Sequence, residues 1–170
     1  MANEAIAAIA EYHNDVEHSL RLYFSEFSPS FGARFFGLRP EEITAERDAR
    51  LEETDQRSAF FVLTSLEKAF REDYRCRCKK RMKDDLSRAF RAIYKDREEK
   101  VNLERDVFEA WKENRPELRQ LIGELRGAFR FRHWLAHGRY WVPKLGRKYD
   151  FNDVYFLAEL VLNAFPLQTS

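Results

Sequence analysis

The sequence predicts an all-α fold, a helical bundle of about five to seven helices forming a single domain over residues 1–170. Three observations lead there. Apolar residues recur at three- and four-residue spacings through most of the chain, the period of an amphipathic helix rather than of a strand. Only 6 glycines and 5 prolines leave little material for a turn-rich β protein. The chain is 44% hydrophobic and 35% charged, which suits helices with one buried stripe and solvated outer faces. Aromatic content of 15% sets it apart from disordered chains. There is no internal repeat, no low-complexity linker and no apolar run of about 18 residues that would span a membrane.

The elements follow in order. Residues 3–27 read as a first long helix, with Asn3 as its cap and Ile6, Ile9, Val16, Leu20, Tyr23, Phe24 and Phe27 on one stripe. His13 and His18 lie on different faces and read as surface or rim residues. Ser28-Pro29-Ser30 ends the helix, because the residue before proline is biased away from helix. Residues 28–40 form an aromatic-rich loop that packs back on the core through Phe31, Phe35, Phe36 and Leu38. Pro40-Glu41-Glu42 is a helix start, with proline in the first turn and acids at the positive end of the dipole. That helix runs to about Glu53, and Thr54 or Asp55 recaps the next. Residues 55–80 bury Phe60, Phe61, Leu63, Leu66, Phe70 and Tyr74; Glu67 and Arg71 fall at i, i+4 as an ion pair. Shorter helices follow at 84–97 and 103–113. Asn114-Arg115-Pro116 starts the principal helix, whose core face is Leu118, Leu121, Ile122, Leu125 and Phe129. Gly123 and Gly127, four apart, open one of its edges to a neighbouring helix. Asn152 or Asp153 caps a last apolar helix that Pro166 stops.

Charge narrows the function class. The net charge is only +1, but residues 1–70 carry a net of −6, residues 71–100 a net of +5 and residues 115–148 a net of +7. Such a distribution suits a polyanionic ligand for the second half of the chain. The N-terminus lacks the basic start of a signal peptide. The two cysteines, Cys76 and Cys78, are too close for an unstrained bridge, and a reducing cytoplasm is the simplest home. Cys-x-Cys also has no second pair of ligands at metal spacing, so no metal and no cofactor is expected. Its cationic flanks favour a lowered thiol pKa.

The chemistry-bearing stretch is Arg130 to Trp141, RFRHWLAHGRYW. Arg130, His133 and His137 share one helical face, at i, i+3 and i+7, while Arg132 lies about 140° round from His137. Gly138 is the expected αL stop, which places His137 at a helix C-terminus. A histidine there, beside a fixed cation able to grip phosphate, is an acid–base site. Beyond it, Arg139, Lys144, Arg147 and Lys148 interleave with Tyr140, Trp141 and Tyr149. Cations among stackable rings meet the physical requirement for holding single-stranded RNA; aromatics packed into the fold are the alternative.

Arg132-His-Trp-Leu-Ala-His137 resembles the arginine, four to six residues, histidine signature of the HEPN family. Those are helical-bundle domains, many of them metal-independent ribonucleases. Arg132 matches the short spacing and Arg130 the long one. Glu67-x3-Arg71 is similar to the acidic–basic pair that such domains carry on an inner helix near the signature. The resemblance implies a HEPN-like bundle and an endoribonuclease with His137 and Arg132 as its catalytic pair. His133 would be in support, RNA the substrate and a homodimer the working form. A toxin or defence setting, with an antitoxin or regulatory protein as partner, belongs to the same implication. One departure is visible: where toxins controlled by nucleotidyltransferases have a tyrosine two residues after the histidine, this chain has Arg139, and Tyr140 comes one later. The alternative is a non-catalytic HEPN-like module binding RNA, a nucleotide or a protein partner. A helical DNA-binding protein is a weaker third reading, since no helix–turn–helix with a basic recognition helix is present.

Overall fold

The computed structural model describes residues 2–97, 100–139 and 145–169. Tyr140, Trp141 and Lys144 of the expected RNA-binding loop lie outside the described residues. The described residues form seven α-helices and no strand: α1 (Ala2–Tyr23), α2 (Phe31–Arg34), α3 (Pro40–Lys79), α4 (Asp85–Arg97), α5 (Phe108–Asn114), α6 (Arg119–Ala136) and α7 (Phe151–Ala164).

α3 is the mast of the bundle. Its 40 residues span about 60 Å at 1.5 Å per residue. It does not break at Thr54–Asp55. The Thr54 hydroxyl donates back to the Arg50 carbonyl at 2.9 Å, and the Asp55 carboxylate lies 3.5 Å from His13 Nε2. Both cap-forming side chains are therefore satisfied without ending the helix. Pro40 opens α3 at its first position, with the Glu42 carboxylate accepting from the Arg39 N–H at 2.8 Å.

The other helices pack along α3 on the stripe Val62, Leu63, Leu66, Phe70 and Tyr74, all essentially solvent-free. Each such side chain contributes roughly 1.5–3 kcal/mol by leaving water. α1 runs antiparallel to α3, with His13 opposite Ser58 and Phe24 opposite Arg50. α7 runs parallel, from Phe151 at the level of His13 to Phe165 against Phe70. α6 runs antiparallel, and α4 turns back so that Phe90 meets Tyr74. Trp111 of α5 closes the far end under Phe165.

Several local expectations need correction. His13 is 3% exposed rather than a rim residue; it stacks on Phe151 at 3.8 Å, and its Nδ1 shares a hydrogen bond with the Ser58 hydroxyl. Phe61 and Phe27, expected on buried stripes, are exposed. The 28–40 loop, which contains the short α2, does pack down, but through Phe35 against Phe24, leaving Phe36 and Leu38 exposed. The 103–113 helix begins with a π-turn, Leu103–Val107, capped by the Asn102 side chain, before α5 proper. Asp150, not Asn152 or Asp153, caps α7: its carboxylate accepts from the Asp153 N–H at 2.8 Å, and Asp153 reciprocates.

Candidate functional site

The site stands where the last turns of α6 cross the middle of α3. Arg132 turns toward α3, its Nη2 2.7 Å from Glu67 Oε2. The other oxygen of Glu67 accepts from Arg71 Nε at 2.9 Å and faces Arg71 Nη2 at 2.8 Å. One carboxylate thus bridges two guanidinium groups from two helices, with only 17% of the Glu67 side chain exposed. The Arg132 plane lies over the Phe60 ring, 5.6 Å from its centroid. Its approach to Glu67 is an ion contact without directed hydrogen-bond geometry, and Arg132 Nε, shielded from water, has no hydrogen-bond partner in the structure. The guanidinium, 27% exposed and backed by a ring, keeps part of its fork toward solvent, where it is suited to a phosphate oxygen.

The sequence left open which arginine faces the Glu67–Arg71 pair, and the geometry answers that it is Arg132. Arg130 is exposed and lies on the other side of α6, beside Gly127 and Tyr149. His133 and His137 are both exposed, with ring centroids 4.2 Å apart and planes tilted by 51°.

His137 is held at the helix end by the turn that follows it. Its N–H donates to the His133 carbonyl at 3.1 Å, Gly138 takes φ +80°, and the Arg139 N–H donates to the Trp134 carbonyl at 3.3 Å. This six-to-one closure is a Schellman ending, and the positive φ is why a glycine stands at 138. Arg139 is then anchored by its side chain. Its Nη1 donates to Glu53 Oε2 at 2.6 Å and to the Gln56 amide oxygen, both on α3. The Glu53 carboxyl is pulled down to about 2 by hydrogen bonds from Arg139 and Arg57.

The remaining loop residues divide. Tyr149 is buried, stacked on Phe131 at 5.5 Å, with Arg147 over its outer face at 4.7 Å. Arg147 also pairs with Asp153 at 3.2 Å. Lys148 is exposed. The adjoining groove, about 700 Å³, sets Arg147 and Lys148 against Glu52, Asp55 and Asp150, so its charge is mixed. Gly127 is close-packed, as its spacing suggests, but against the Tyr149 hydroxyl and not a helix; Gly123 is open to solvent.

Among the described residues no group of three potential ligands is placed to hold a metal ion. The Cys78 thiol is pushed up by burial, which outweighs the nearby Arg91, so the expected lowered thiol is corrected. Phe60, Glu53 and Gln56 carry no signal in the sequence that would have linked them to the 130–141 stretch; only the crossing of α3 and α6 does.

Fold and site together define an all-helical domain with a carboxylate-bridged arginine pair at the crossing of α3 and α6 and two exposed histidines on another face of the same capped helix end. Comparison with known proteins returns no matching family model, no matching curated protein and no matching solved structure.

Proposed function

We propose that the protein is a metal-independent endoribonuclease of the HEPN type that cleaves RNA by internal transphosphorylation. One observation carries the reading: Glu67 joins Arg71 to Arg132 on the turn of α6 that leads to His133 and His137. The acidic–basic pair and the arginine–histidine signature, 61 residues apart between Arg71 and Arg132, meet at one crossing.

The chemistry needs few parts. The 2′-hydroxyl oxygen attacks the adjacent phosphorus; the new 2′-O–P bond forms as the P–O5′ bond breaks. A base takes the 2′-hydroxyl proton, and an acid delivers one to the departing 5′ oxygen. His137, exposed at the helix end, serves as acid–base group, with His133 one turn away in support. Arg132 stabilises the charge that gathers on the phosphorane oxygens, and Glu67 and Arg71 fix its position. A dimer would face two such sites across a two-fold axis, and a toxin or defence role with a restraining partner fits this class of activity.

The test is cleavage of a labelled RNA in EDTA by wild type, His137→Ala and Arg132→Ala. Wild type is expected to release fragments with 2′,3′-cyclic phosphate and 5′-hydroxyl ends, and His137→Ala to lose about 10²–10⁴-fold in rate. Equal activity in wild type and both variants would refute the assignment. A wild type inert under all conditions that still binds RNA would favour the non-catalytic binding module.

A further inference from the structure

A second cationic surface lies beyond the site, where α3 ends and α4 turns back along it. A groove of about 930 Å³ is lined by Arg75, Lys79, Arg81, Arg88, Arg91 and Lys95, with no carboxylate in its walls among the described residues. Five of the cations sit on two helices at intervals of three or four residues, so each wall presents one charge per turn, about 5–6 Å apart, and Arg81 stands in the turn between them. Few of them are spent. Arg91 donates to the Met82 carbonyl at 2.6 Å and Arg88 meets Asp85 at 3.0 Å at the solvent edge. Arg75, Lys79, Arg81 and Lys95 have no ion pair among the described residues. Arg81 keeps its charge at the turn even with φ at +49°, where glycine would fit without steric cost. In the same groove Tyr94 is 45% exposed.

We propose that this groove binds the phosphate backbone of single-stranded nucleic acid. Four of the six cations are arginines, whose forks match phosphate oxygens, and an exposed ring among them offers a stacking face for a base. An acidic protein would not need the ring, and a membrane surface is met by a helix face lying flat, not by a concavity. The groove begins two turns of α3 past Glu67, about 12 Å along the axis to Arg75, and Arg71 continues the row of cations toward the Arg132 crossing. It stands as a binding site whether or not His137 cleaves RNA.

The experiment reads binding without cleavage. A fluorescein-labelled oligothymidylate has no 2′-hydroxyl and survives any transphosphorylating enzyme. Its affinity for the full chain would be followed against salt concentration. Each lost phosphate contact removes about 0.7 from the slope of log K against log salt for single strands. Replacing Arg75, Lys79 and Lys95 together by glutamine should therefore flatten the slope by about 2. A control replacing the exposed Lys100, Arg105 and Arg119 removes the same charge elsewhere and should leave it unchanged. If the triple variant melts early, Arg75→Gln and Lys95→Gln singly should each flatten it by about 0.7. An unaltered slope in the groove variants, or an equal loss in the control, overturns the proposal. So does groove-dependent capture on phosphatidylserine vesicles with no binding of the oligonucleotide, which would assign the surface to a membrane.

Discussion

Arg139 shows how a single side chain can be recruited away from the role its sequence context suggests. It stands in a run of cations and rings suited to RNA, yet its guanidinium reaches across to Glu53 and Gln56 and ties the turn after His137 to α3. The Glu53 carboxyl reports on this contact, since the Arg139 and Arg57 hydrogen bonds hold it down at about 2 against an ordinary 4.5. Because the folded value lies below the ordinary one, the pairing contributes stability above about pH 4.5 and loses it as pH falls toward 2. Arg139→Ala should raise the Glu53 midpoint toward the ordinary carboxylate range, read by NMR titration of its side-chain carbon. It should also shrink the stability gap between variant and wild type as the solution is acidified through that window. A Glu53 midpoint that stays near 2 without Arg139 would show that Arg57 alone holds it.

At the scale of elements, α6 presents its C-terminal residues by ending on time. Gly138 lies at φ +80°, which an L side chain adopts at a cost of roughly 1–2 kcal/mol, whereas Gly123 sits inside α6 with open space where an alanine methyl would stand. Gly138→Ala should therefore destabilise by about that amount. Gly123→Ala should stabilise by roughly 0.5–1 kcal/mol, because alanine loses less backbone freedom in a helix. Urea denaturation of the two variants checks both signs, and a stabilising Gly138→Ala would remove the reason given for the glycine. The same element shows what the sequence made legible. The helix, its glycine stop and the common face of Arg130, His133 and His137 follow from period and cap chemistry. The partner of Arg132 does not: resemblance alone set the Glu67–Arg71 pair near the signature, and the packing of α6 across α3 brings Glu67, 65 residues away, to Arg132. Thr54 and Asp55 misled for a related reason: a cap-forming side chain marks a boundary only if nothing else satisfies it, and Arg50 and His13 do. Phe60 and Phe61 follow a buried pattern locally, but Phe61 remains 57% exposed at the lip of a groove between α1 and α3.

Across the whole molecule, the far end of α3 is closed by one buried ion pair that gathers four segments. Arg77 donates through Nε to Asp73 at 2.7 Å, through Nη1 to Ser87 of α4 and to Asp84, and through Nη2 to the Pro166 carbonyl after α7. The Gln168 N–H donates to Asp73 at 2.8 Å, and the guanidinium lies 5.3 Å over Trp111 of α5. Asp73 is fully buried and Arg77 nearly so, and burial pushes the Asp73 carboxyl up despite its bonds. The pair itself is weak evidence of net stabilisation, since removing two charges from water offsets most of their attraction. Breaking it is a different matter. Arg77→Ala leaves the Asp73 carboxylate unpaired in the interior beside an emptied volume, a loss of about 3–5 kcal/mol. For a domain of this size that lowers the melting temperature by on the order of 10 °C. The double variant Asp73→Asn, Arg77→Met removes both charges and retains most of the volume, so it should lose distinctly less than Arg77→Ala. Thermal melts of the three proteins decide the point. A single variant that melts within about two degrees of wild type would mean that the end of α3, the α4 turn and the chain after α7 are held together by apolar contacts alone. A double variant no better than the single one would locate the stabilisation in the Ser87 and Pro166 bonds of Arg77, and not in relief of a stranded charge.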